Sequence, residues 1–124
     1  RVARKSAPKR ARLSCLVVEH RGRVLLGKRR VDALYGGLWE PPMVDPGDRR
    51  AARGFSAKGR LVHVLSHRRL EIDVLYMKAS RPPKWRRFGE YERFELLPAG
   101  DLGARALSTL ARRALRVALH GDAD

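Results

Sequence analysis

The 124-residue chain is 44% hydrophobic, enough for one small domain to bury a core without staples, and its single cysteine excludes an internal disulfide and any multi-cysteine zinc or iron-sulfur site. With 28 Lys and Arg against 13 Asp and Glu, the formal charge is +15, which repels itself unless an acidic partner is at hand: nucleic acid first, an anionic membrane surface second, plain solvation as the bland alternative. No apolar stretch approaches the roughly 20 residues of a membrane span and no hydrophobic signal core follows the basic start, so a cytoplasmic protein is expected.

Residues 1–12 carry Arg1, Arg4, Lys5, Lys9, Arg10 and Arg12 with almost nothing apolar, which reads as a basic linker or arm. The start at Arg1 rather than Met reads as a piece cut from a longer chain. From Leu13 to His20 the run is apolar and β-branched, Arg21-Gly22 supplies a two-residue turn, and Val24-Leu25-Leu26 resumes, a hairpin pattern. Cys15 lies inside this run as a buried, inert thiol. In Val31–Pro42, Gly36-Gly37 permits a close turn, Leu38-Trp39 enters a short strand, and Pro41-Pro42 ends it. Asp45–Gly59 reads as a loop with at most a short helical turn at Arg49–Arg53.

Two clear strands follow, Arg60–Ser66 and Arg69–Ala79. In the first, Val62 and Val64 alternate against His63 and Leu65; in the second, Leu70, Ile72, Val74 and Tyr76 alternate against Glu71 and Asp73. The polar pair Ser66-His67 lies where they join. Arg81-Pro82-Pro83 is a connector, Trp85–Leu97 another strand-like piece, and Pro98–Asp101 punctuation. Leu107, Leu110, Ala111, Ala114, Leu115, Ala118 and Leu119 follow one helical face, with Ser108 or Thr109 as cap and Arg112, Arg113 and Arg116 on the opposite side. Residues 120–124 form a tail.

No metal site is expected. His63 and His67 lie four apart, which on a strand separates them by about 13 Å, and His20 and His120 show no partner. The carboxylates are scattered, so no catalytic acid-base pair is assigned, and Gly36-Gly37 is a turn more readily than a nucleotide loop.

Leu25-Leu26 through Arg29-Arg30, Tyr35-Gly36-Gly37-Leu38-Trp39-Glu40-Pro41-Pro42, His63-Val64-Leu65-Ser66-His67-Arg68 and Leu107-Ser108-Thr109-Leu110 together resemble the C-terminal domain of the MutY-type adenine DNA glycosylases. The resemblance covers the chain after the arm and implies a Nudix-like domain over residues 13–119. Its fold class is α/β or α+β, a mixed twisted sheet with a C-terminal helix and a reduced second helix. It further implies recognition of 8-oxoguanine opposite adenine by the loop written Phe-Ser-His in that family, here Leu65, Ser66 and His67, where Leu65 keeps an apolar wedge but lacks a stacking face. Trp39-Glu40 matches a signature read here as fold-holding, although Pro41 replaces the usual aromatic.

Oxidation at carbon 8 turns guanine N7 from an acceptor into an N–H donor beside a new carbonyl, so a discriminating reader needs an acceptor there. Ser66 offers hydroxyl lone pairs and a backbone carbonyl for that N–H, and a donor for the new oxygen. His67 contacts phosphate or orients the loop. The plain alternative for both residues is an ordinary turn between strands. Arg49, Arg50, Arg53, Arg68 and Arg69 are the candidates for phosphate contact.

Active Nudix hydrolases carry a glycine, a glutamate and an Arg-Glu-x-x-Glu-Glu helix that holds magnesium. The matching place here reads Arg49-Arg50-Ala51-Ala52-Arg53-Gly54, and the five basic residues from Arg49 to Arg60 repel a cation. The expectation is therefore a non-catalytic domain without metal or cofactor, monomeric, in a bacterial cytoplasm alongside its DNA. Adenine excision, and the iron-sulfur cluster that usually accompanies it, belong to a helical domain elsewhere. The competing readings are a divergent Nudix hydrolase of an oxidised nucleoside triphosphate and a basic protein-interaction module.

Overall fold

The computed structural model describes residues 9–31, 36–82 and 91–121. The arm before Lys9, Tyr35, Trp85, Phe88 and the last three tail residues lie outside the described residues. Seven strands among them form one sheet: β1 (Lys9–His20), β2 (Arg23–Arg29), β3 (Trp39–Glu40), β4 (Met43–Val44), β5 (Ser56–Leu65), β6 (Arg68–Lys78) and β7 (Tyr91–Pro98). A 3-10 segment, Ala99–Ala104, and one α-helix, α1 (Thr109–His120), complete the chain. The main strand order is β3-β2-β1-β6-β5, with β4 added to β1 and β7 to β2.

The β1–β2 hairpin turns at Arg21-Gly22 as its sequence predicts. Both residues have positive φ, 50° and 77°, a twist that matches the flanking strands. β1 then does something the sequence did not announce: it pairs in parallel with β6 from Lys9↔Arg68 to Glu19↔Lys78. The last four residues of the expected arm, Lys9 to Arg12, are therefore strand. The physical signal was the run Cys15-Leu16-Val17-Val18, buried on both sides of the strand, since a central strand covered on both faces shows no alternation.

One face of the sheet packs on α1. Cys15 and Val17 of β1, Leu61 of β5, and Leu70, Ile72 and Val74 of β6 meet Leu110, Ala114, Leu115, Val117 and Ala118. In β5 the inward residue is Leu61, with Leu65 partly buried behind it, while Val64 is 59% exposed on the other side. Alternation alone could not say which set faces inward. The helix begins at Ser108, whose hydroxyl accepts from the Ala111 N–H at 3.0 Å, and ends at Gly121 in the left-handed region, each end satisfied as a free helix terminus requires. The second helical element is the 3-10 segment after β7, not Arg49–Arg53, where the chain makes successive turns.

Candidate functional site

β5 and β6 form a long antiparallel hairpin whose last pair is Leu65↔Arg68. Ser66 and His67 are thus the two residues of its turn, and both are exposed. Among the described non-glycine residues only Arg21 has positive φ, so this tip is not the mirror-image turn that two-residue hairpins favour. Leu65 is held differently from its neighbours, because it packs partly against the core. The tip therefore offers a hydroxyl, an imidazole and two peptide groups to solvent on an anchored stem.

Arg68 is exposed beside the tip. Arg69 is half-buried; its Nε lies 3.8 Å from Glu71 Oε2, beyond hydrogen-bond reach, and has no hydrogen-bond partner. The remaining cations expected to join them do not all stand nearby. Arg49, Arg50 and Arg53 are exposed on the turns between β4 and β5. Gly54 lies against the Met77 thioether, and Met77 is ten residues up β6 from His67, about 33 Å at about 3.3 Å per residue. Arg53 and the tip are at opposite ends of the hairpin.

The turns at 45–55 use their carboxylates locally. Asp45 Oδ1 accepts from the Gly47 N–H at 2.9 Å and Asp48 Oδ1 from the Ala51 N–H at 3.1 Å. Among the described residues no three His, Cys, Asp or Glu side chains are grouped to hold a metal ion.

The Trp39-Glu40 pair is built into the scaffold. Glu40, 3% exposed, accepts from Arg29 Nη1 at 2.7 Å and from the Tyr91 hydroxyl, which itself accepts from the Met43 N–H at 2.9 Å. Burial, then the Glu40 carboxylate, pushes the Tyr91 hydroxyl far above its ordinary range. Trp39 lies under two guanidiniums, Arg93 and Arg105, at 5.6 and 5.5 Å from its ring centre, and its backbone N–H donates to Ala106 O just ahead of α1. Cys15 is fully buried, and desolvation raises its thiol well above the usual value.

Several partnerships were invisible in the sequence. His20, expected to lack a partner, donates from Nδ1 to Ala79 O at 2.9 Å. Arg113, expected on the solvated face of α1, donates to His63 Nδ1 at 2.8 Å and to Val62 O at 2.9 Å. This turns His63 to the helix side, away from His67 at the tip. Among the described residues no helix is long and apolar enough to cross a membrane.

No curated protein sequence matches the chain. Its fold matches the MutT NUDIX hydrolase from Burkholderia pseudomallei (TM-score 0.70, 20% identity, 87% of this chain and 97% of that one). It also matches the C-terminal domain of mouse MUTYH, solved in complex with human PCNA (TM-score 0.65, 22% identity, 86% and 85%), and the MutT protein from Methanosarcina mazei Go1 (TM-score 0.71, 14% identity, 90% and 94%). At these identities the likeness is one of fold. The sequence profile of the NUDIX domain matches residues 14–117, and the chain belongs to the NUDIX domain family.

Proposed function

We propose that this domain reads 8-oxoguanine opposite adenine in DNA as the non-catalytic recognition domain of an adenine DNA glycosylase, with the Ser66-His67 tip testing the lesion and neighbouring arginines holding phosphate. The observation that carries the reading is the tip itself: a polar pair exposed at the end of an anchored hairpin, flanked by Arg68. Ser66 has the acceptor that the N7–H of the oxidised base needs, and a donor for its new carbonyl. The charge of +15 favours a polyanion. The fold likeness to the MUTYH C-terminal domain is compatible with this role, as the likeness to MutT hydrolases is with the other.

Against hydrolysis stands the composition of the segment where hydrolases of this fold carry their acidic helix. Here it is Arg49-Arg50-Ala51-Ala52-Arg53, arranged in turns whose two aspartates are engaged by backbone N–H groups. Such a segment repels a divalent cation and its diphosphate gains no metal from it.

The test compares duplexes holding 8-oxoguanine or guanine opposite adenine. Ser66→Ala is expected to lower the preference for the lesion by roughly tenfold, the scale of one base contact at about 1–3 kcal/mol, with affinity for the undamaged duplex almost intact. Equal loss on both duplexes removes the lesion-reading role. Magnesium-dependent release of pyrophosphate from an oxidised guanosine triphosphate would replace it with the hydrolase reading.

A further inference from the structure

The parallel ladder between β1 and β6 brings basic positions into register. Lys9 is opposite Arg68 and Arg10 opposite Arg69, at the end of the sheet that bears the tip. On the other side of β6 the same two rungs hold Leu65 and Val64, so no acidic residue stands directly opposite Arg68 or Arg69, and Glu71, two residues along, lies 3.8 Å from Arg69 Nε.

A few rungs further in, two guanidiniums share one carboxylate. Arg12 Nη2 is 3.3 Å from Asp73 Oδ2 and Arg60 Nε is 2.8 Å from Asp73 Oδ1, with the arginine side chains 53% and 57% exposed. Each guanidinium carries five N–H donors, and Asp73 engages one from each, so most remain for another acceptor. The register puts Arg12, Arg60, Arg69, Asp73 and the exposed Val64 on the face of the sheet turned away from α1. The shielded Arg69 Nε, with no acceptor of its own, lies on that same face. Three cations there, Arg12, Arg60 and Arg69, meet two carboxylates, Glu71 and Asp73.

We propose that the exposed, tip-proximal end of this face of β1, β6 and β5, ahead of the buried Leu16 and Val18, is a phosphate-binding track for a nucleic-acid backbone, with Arg12 and Arg60 as its central contacts and Asp73 as the internal anion that holds them until phosphate competes. The proposal rests on the reading that the chain binds DNA, and it moves the backbone contacts from the distant turn at Arg53 to residues continuous with the tip. Strands lie about 4.8 Å apart, so the backbones of Arg12 and Arg60, two strands removed, are about 10 Å apart across the sheet, and their guanidiniums converge on Asp73 between them. That is a cluster of donors suited to a phosphate group. A lipid surface fits less well, because the tip residues Ser66 and His67 are polar and the exposed Val64 offers one small apolar side chain where an interfacial anchor needs a continuous apolar face.

The experiment measures binding of the full chain to undamaged and 8-oxoguanine duplexes between 50 and 200 mM salt. The double variant Arg12→Gln/Arg60→Gln is expected to bind both duplexes more weakly by the same factor. Its log K against log salt slope should be shallower by about 2, close to one unit per phosphate contact. Asp73→Asn is expected to tighten binding to both duplexes, whereas a purely structural role for Asp73 would weaken it. An unchanged slope in the double variant, or looser binding by Asp73→Asn, overturns the track. So does a loss of binding to phosphatidylserine vesicles in the double variant with its DNA slope intact. Ser66→Ala reports separately: an unchanged lesion preference there, with the slope still reduced in the double variant, removes the lesion reader and leaves the track standing.

Discussion

Replacing Glu40 by alanine isolates a buried charge in the scaffold. The carboxylate is 3% exposed and is shared by Arg29, whose side chain is only 11% exposed, and by the Tyr91 hydroxyl. Removing one member of a buried pair leaves the other charge desolvated, at a cost of about 3–5 kcal/mol. That is a large part of the roughly 5–15 kcal/mol that holds a domain folded. With a urea dependence of about 2 kcal/mol/M, the unfolding midpoint should fall by about 2 M, read by tryptophan fluorescence together with circular dichroism. Glu40→Gln retains an acceptor and should cost less, about 1.5–3 kcal/mol for the lost charge-assisted bond. The double variant Arg29→Met/Glu40→Leu should recover much of the loss, because a buried ion pair and an apolar pair of similar size differ little in stability. A midpoint shift below about 0.5 M for Glu40→Ala, or a double variant as unstable as the two single effects added, would refute the assignment of Trp39-Glu40 to fold maintenance.

Two further outcomes test the packing. At Gly27 a Cβ would meet the Phe94 and Tyr91 rings at 2.7 Å, and Tyr91 is fixed by Glu40 and Met43; Gly27→Ala should therefore destabilise by about 1–3 kcal/mol in urea unfolding, while Gly103→Ala, with open space around it, should not. Burial and then a hydrogen bond to Glu19 raise the Tyr76 hydroxyl to about 12. Because its folded value lies above the ordinary 10.0, the stability it contributes is complete below that pH and is lost as pH rises through about 12. A tyrosinate absorbance titration, with Tyr76→Phe to assign the transition, should show Glu19→Gln moving it downward.

Local chemistry carried much of the fold into the sequence. Arg21-Gly22, the inward stripe of Leu110, Ala114 and Leu115, the Ser108 cap and the alternation from Leu70 to Tyr76 all report on neighbours within a few residues, where turn preference and periodicity act. What escaped depends on distant partners. Nothing near Lys9 or Arg10 shows that they pair with Arg68 and Arg69, nothing on the polar face of α1 shows that Arg113 reaches His63, and Val64 looked as eligible for the core as Leu65. The tip at Ser66-His67 was legible because two strands with clear alternation bracket it; the separation of Arg53 from that tip was not, since position along the chain does not give distance across a sheet.

The parallel β1–β6 ladder also sets the order in which the chain can be built. Val18 pairs with Met77, 59 positions later, and such long-range pairing delays folding because loop closure comes before the contacts that reward it. At roughly 5–20 residues per second on the ribosome, Cys15–Val18 waits about 3–12 s for its neighbour. During that interval a four-residue apolar run forms one edge of a nascent hairpin. Arg12 before it and Glu19 after it are charges of the kind that keep such an edge from pairing with another chain.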